Sequence, residues 1–176
     1  MALITETGAI VAGAESYVTV AEALTYHANR ANGAWAAATT EAQEAALRNG
    51  TAYVDDAYRA RWKGERTNYQ TQPLEWPRLN VNLSDRRQAA GFAYGMNSWV
   101  PFDKIPQKVK DATCEAALRS LTGLLLADVD MTKSRQMVGP IETWYTATEI
   151  ATIYPAIDAL LSGLLVPTGQ GSLTRG

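Results

Sequence analysis

Apolar positions recur along this chain at helical spacing in four places and at strand spacing in one. A first helix is predicted from about Val20 to Arg30, opened by a capping box at Thr19-Val-Ala-Glu22 and closed by the Asn32-Gly33 turn. Trp35 falls in the short connection that follows. A second capping box, Thr40-Glu-Ala-Gln43, opens a helix whose stripe is Leu47, Gly50, Val54, Ala57 and Tyr58. Glycine there costs roughly 1 kcal/mol of helix propensity relative to alanine, so Gly50 predicts close approach of a neighbouring helix. Glu44 and Arg48 are placed to pair across one turn on the wet side.

From Ala60 to Lys104 the periodicity stops, and Gly, Pro, Asn and Gln dominate. Irregular runs of this length inside a compact fold tend to be functional or ordered by a partner. Pro106 then sits at a favoured first-turn position. After it Val109, Ala112 and Ala116 line one flank of a helix, and Cys114, Ala117, Leu118, Leu121, Leu124 and Leu125 form a wide stripe. This predicts the central buried helix.

Between Asp128 and Thr148, Ile141, Thr143 and Tyr145 alternate with Glu142 and Trp144, the period of a strand. Gly139-Pro140 confines it to an edge, because proline cannot donate to a ladder. Ile157, Leu160, Leu161, Leu164 and Leu165 make a last amphipathic helix, and the polar GQGSLTRG tail follows. The expected fold is mainly α: a small helical bundle with a long irregular loop and one extended β arm or edge strand. It is read as one domain over 1–176, with a helical core at about 15–165 and a flexible tail at 167–176.

Composition narrows the function. With 47% hydrophobic and 19% charged residues the chain reads as folded, and a formal net charge of −2 argues against a dedicated nucleic-acid binder, which is usually basic. A single cysteine, Cys114, excludes an internal disulfide and fits a reducing compartment. The N-terminus lacks the basic-then-apolar pattern of a signal peptide, and no apolar run reaches the roughly 20 residues needed to span a bilayer. A soluble protein made in a cytoplasm is expected, with no membrane partner.

Catalytic chemistry has little support. His27, the one histidine, lies on a helix without a nucleophile pattern to complete, and reads as a surface or capping residue. Cys114 reads as a buried thiol. No phosphate-cradling glycine loop is present. Asp55-Asp56 point to different helix faces, and Asp128 with Asp130 is ordinary loop composition. The expectation is no catalytic residue, no metal and no cofactor.

One stretch invites a sharper reading. RARWKGERTNYQTQPLEWPR, from Arg59 to Arg78, holds five cations against Glu65 and Glu75, with Trp62, Tyr69 and Trp76 threaded through it. In one reading the aromatics stack on unpaired bases while Arg59, Arg61, Lys63 and Arg66 meet phosphates. In the other, Trp62 and Trp76 are buried beneath a loop and the cations make intersubunit ion pairs. The second reading is preferred on composition.

Six segments taken in order carry a family resemblance: ESYVTVAEALTYH, ALRNGTAYVDDAYRARWKG, LEWPR, PQKVKDATCEAAL, VGPIETWY and YPAIDALLSGLL. The series, from about Glu15 to Leu165, resembles the head-to-tail adaptor (head completion or connector) proteins of tailed bacteriophages. A closely similar phage group is labelled DnaT-like single-stranded-DNA-binding. The adaptor resemblance implies a structural virion protein of the neck, assembled in the host cytoplasm. It would form a ring, commonly dodecameric, between the portal protein and a tail-side neck or tail-tube protein, with double-stranded DNA passing through the channel. Met137, Val138, Gly139, Pro140, Ile141, Trp144 and Tyr145 would then form an intersubunit or portal contact. The alternative is a DnaT-like single-stranded-DNA-binding replication accessory, whose affinity should fall steeply with salt and depend on Arg59, Arg61 and Lys63.

Overall fold

The structure is a computed structural model. It describes residues 2–83, 99–126, 135–138, 141–144 and 154–167, the two short segments between 135 and 144 by their backbone alone. Five helices form its frame: α1 (Val20–Ala28), α2 (Gly33–Ala37), α3 (Thr40–Tyr58), α4 (Gln107–Ser120) and α5 (Pro155–Leu161). Two two-stranded antiparallel sheets accompany them. One joins β1 (Glu65–Arg66) to β2 (Arg78–Leu79), and the other joins β3 (Arg135–Val138) to β4 (Ile141–Trp144). The fold is mainly α, as the periodicity indicated. No helix among the described residues is long and apolar enough to cross a membrane.

The helix starts follow from their caps. Thr19 closes the expected box on Glu22, its hydroxyl accepting from Glu22 N–H while the Glu22 carboxylate accepts from Thr19 N–H at 2.9 Å. For α3 the cap is one residue earlier than expected: Thr39 is extended and its hydroxyl accepts from Ala42 N–H at 3.3 Å. Trp35 is not in a plain connection. It sits on the short α2, fully buried, and its carbonyl accepts from the Gln43 side chain at 2.8 Å.

α3 packs against α4, and α4 against α5. Gly50 is a point of close approach in the first contact. A Cβ there would lie 2.7 Å from Ala117 N and 2.9 Å from Thr113 O, so the glycine accounts for how near the two backbones come. Leu47, Val54 and Tyr58 line the same stripe in the core, whereas Ala57, at its edge, is exposed. On α4 the small residues Ala112, Cys114, Ala116 and Ala117 are buried, and Ile157, Leu161, Leu164 and Leu165 close the core from α5 and its following turn. Helix α4 ends at Ser120, which resets the spacing beyond it: Leu125 is buried but Leu124 is 80% exposed, against the predicted stripe.

The expected single extended arm is a hairpin. Residues on either side of Gly139-Pro140 pair with each other, Val138 opposite Ile141 and Arg135 opposite Trp144, so the edge strand already has a partner within the chain. Met137, Val138, Ile141 and Trp144 fall on these strands. Gly139, Pro140, Tyr145, the Asp128/Asp130 pair and the tail from 168 lie outside the described residues.

Candidate nucleic-acid interface

The expected irregular run contains a hydrogen-bonded unit with little regular structure. After α3 the chain makes a 3-10 turn at Arg59–Arg61, enters β1, loops through Gln72 and returns in β2. Asn82 then bridges to Trp99, and Val100 N–H donates to Val81 O at 2.9 Å. The Thr67 hydroxyl donates to Phe102 O at 3.2 Å, tying this last segment to the end of β1.

Side chains hold the unit where ladders do not. The Arg78 guanidinium, 8% exposed, donates to Glu75 Oε2 at 2.8 Å, to Gly64 O at 2.8 Å and to Lys63 O at 3.0 Å. Gln72 donates to Leu74 O at 2.8 Å and to Pro77 O at 2.9 Å, while its carbonyl accepts from Asn68 N–H. Asp55, at the end of α3, accepts from Glu75 N–H at 3.0 Å and from the Tyr17 hydroxyl at 2.5 Å. That hydroxyl in turn accepts from Trp76 N–H at 3.1 Å. Burial pushes the Asp55 carboxyl up to about 7, and burial followed by the neighbouring Asp55 raises the Tyr17 phenol well above its ordinary range.

The basic aromatic stretch divides in this setting. Trp62 and Trp76 are buried and meet edge to face with centroids 5.5 Å apart, as the packed-loop reading required. They are not base platforms. Three of the four cations assigned to phosphates have partners within the chain. Arg59 lies 3.4 Å from Glu75 and 3.7 Å from Asp56, and Arg61 pairs with Asp158 at 3.3 Å. Lys63 Nζ donates to Gly163 O at 2.8 Å, and the same strand-like segment pairs Trp62 with Leu165. Arg61 and Lys63 thereby hold α5 and the turn after it to the start of the loop, while Arg59 joins the end of α3 to Glu75.

What stays outward is different. Tyr69 is 61% exposed, with the Arg66 guanidinium 5.8 Å from its ring centroid and its hydroxyl donating to Glu65 at 2.9 Å, which raises the phenol pKa. Phe102 is 60% exposed and Trp99 45%. Arg66 and Lys104 make no ion pair among the described residues. The sequence pattern pointed to Tyr69 and Arg66 but missed Trp99 and Phe102. They lie in WVPF, outside the basic stretch, and only the bridges to Asn82 and Thr67 bring them to it.

The remaining reactive side chains serve the fold. His27 is a buried residue, not the expected surface one. Its ring packs at a tilt against Trp35 with centroids 4.8 Å apart, its Nδ1 lies 3.2 Å from Asn32 Nδ2, and burial lowers its pKa. Cys114 is buried, its thiol pushed up to about 12 by desolvation. Asp55 is spent on the loop anchor, and no group of three metal-ligating side chains occurs among the described residues.

A family model described as "Putative DnaT-like ssDNA binding protein" matches residues 1–176. No curated protein and no solved structure matches the chain. The family match overturns the adaptor resemblance, and with it the neck role, the portal and tail-side partners, the ring and the double-stranded channel. The physical reason lies in the segments that carried the resemblance, VGPIETWY apart. Tyr17, Gly50, Asp55, Trp76, Arg78 and Ala116 in them are core, crossing-point or loop-anchor residues, which report a fold and not a function.

Proposed function

The chain belongs to the family of DnaT-like single-stranded-DNA-binding proteins, and we propose from that premise that it binds single-stranded DNA through its irregular unit. One observation carries the reading: three exposed aromatic rings, Tyr69, Trp99 and Phe102, on one hydrogen-bonded scaffold with the cations Arg66 and Lys104. Exposed rings on a scaffold whose cations make no ion pair among the described residues offer stacking faces for splayed bases and a contact for the backbone. The role is binding without chemistry of its own, in keeping with a ring-packed His27 and a buried, protonated Cys114.

Anisotropy titration of a labelled single-stranded oligonucleotide with the full chain tests this. The wild type should bind single strands in preference to duplex, and a Tyr69→Ala/Phe102→Ala double variant with unchanged circular dichroism should bind much more weakly. Equal binding of the folded double variant would remove the unit from the site.

A further inference from the structure

We infer that this site grips nucleic acid mainly by the faces of its bases and only secondarily by phosphates, an inference that rests on the single-strand reading above. The cations among the described residues support the second half of it. Arg59, Arg61 and Lys63 are committed to Asp56, Glu75, Asp158 and the Gly163 carbonyl, and Arg78 is buried against Glu75. Among the described residues of the unit, Arg66 and Lys104 make no ion pair and remain for phosphates. Glu65 and Asp103 are exposed in the same unit, and the net charge of the chain is −2. Neither feature builds a field that attracts a polyanion from a distance.

The aromatic inventory points the other way. Each exposed ring can take one base face, and such contacts weaken binding about 5- to 150-fold when the ring is removed. A duplex keeps its base faces stacked on one another, so a site of this kind rejects it without needing a steric block. The same logic sets the ligand class: an unpaired strand whose bases are free to splay, with the base and not the charge density recognised.

Salt provides the separation in magnitude. Each phosphate neutralised on a single strand contributes a slope of about −0.7 in log affinity against log salt. Contacts from Arg66 and Lys104 alone predict a loss of about 5- to 25-fold between about 50 and about 500 mM salt, for one or two phosphates. If Arg59, Arg61 and Lys63 also met phosphates, the loss over that range would be about 3,000-fold.

The test titrates the full chain against a labelled oligothymidylate of about 20 nucleotides and an abasic strand of equal length and charge, at both salt concentrations. Binding by face predicts at least tenfold weaker affinity for the abasic strand and a shallow salt response. Tyr69→Phe should keep affinity, and Tyr69→Leu, which preserves apolar bulk but not the ring, should lose it. Equal affinity for both strands with a thousand-fold salt loss would overturn the inference and leave the single-strand reading standing. No binding to either strand at low salt would overturn both.

Discussion

Where α3 crosses α4 the chain is ordered by shape. A glycine and a row of small residues let two backbones touch, with the buried Thr113 hydroxyl bonded within its own helix to Val109 O and the Ser120 hydroxyl reaching across to Ala46 O at 3.3 Å. In the unit formed by the described residues 59–83 and 99–104 the chain is ordered by individual polar side chains reaching backbone carbonyls and amides: Arg78, Gln72, Asp55 and Tyr17 do what a ladder does elsewhere. Its strands are two residues long. The difference bears on function. A packed helix face must bury its large apolar residues, whereas a loop fixed by hydrogen bonds can hold Trp62 and Trp76 inside and still present Tyr69, Trp99 and Phe102 to solvent.

The sharpest way to break the comparison is Arg78→Ala. It leaves Glu75 buried with only the more distant Arg59 nearby, and removes the donors that join Lys63 and Gly64 to the returning strand. Breaking one side of a buried pair costs about 3–5 kcal/mol. Urea denaturation should show a loss of that order, with oligonucleotide binding falling in the still-folded fraction because the scaffold of the exposed rings is gone.

Gly50→Ala attacks the other region. The added methyl gains about 1 kcal/mol of helix propensity but meets backbone atoms at 2.7 and 2.9 Å that no rotamer change can relieve. Overpacking of this kind costs about 1–3 kcal/mol, so a net destabilisation is expected. The folded protein should bind oligonucleotide as the wild type does, since the loop scaffold is untouched. A stability loss from Gly50→Ala accompanied by an equal loss of affinity would show that the two regions are not separable.

How far the sequence could be read follows the same division. Helix periodicity and capping chemistry are local, so α1, α3 and α4 were legible in outline, and Gly50 announced its helix contact because a glycine in a buried stripe weakens the helix unless it permits a close crossing. The cap at Thr39 slipped by one residue because two threonines stand side by side, and only the backbone angles choose between them. The loop was legible as irregular but not as a structure. Its anchors join residues far apart in the chain, Tyr17 to Trp76 and Lys63 to Gly163, and no spacing rule encodes them. The same distance hid Trp99 and Phe102, and left Arg59, Arg61 and Lys63 looking free. The resemblance to adaptors failed for a related reason: its motifs, VGPIETWY apart, hold fold anchors.

Asp55 offers a change of slope rather than of size. Its carboxyl is raised from an ordinary 3.8 to about 7 in the folded protein, chiefly by burial. Below about 3.8 it is protonated in both states and its contribution to stability is complete. Between about 3.8 and 7 the unfolded chain gives up the proton while the folded chain keeps it, so that contribution is lost as pH rises. Asp55→Asn has no proton to lose at this position. The difference in stability between wild type and Asp55→Asn, measured at about pH 4.5 and about pH 7.5, should therefore favour wild type more at the lower pH. A difference independent of pH would mean that Asp55 is ionised in the fold like any surface carboxylate.

The smallest expected effect is also the most direct comparison, because Arg59 and Arg78 share one partner. Both lie within 4 Å of Glu75, but the Arg59 side chain is 65% exposed and the Arg78 side chain 8%. At the exposed position water screens the pair and already solvates the guanidinium, so Arg59→Ala should cost no more than about 0.5 kcal/mol, against the several expected for Arg78→Ala. Glu75 keeps its short contact to Arg78 in the variant, so no buried charge is orphaned. Affinity for the oligonucleotide should change less than about twofold, since Arg59 is occupied by Asp56 and Glu75 rather than by phosphate. A large affinity loss with unchanged stability would mean that this arginine leaves its carboxylates to meet the strand, and would move the phosphate contacts from Arg66 and Lys104 to the start of the loop.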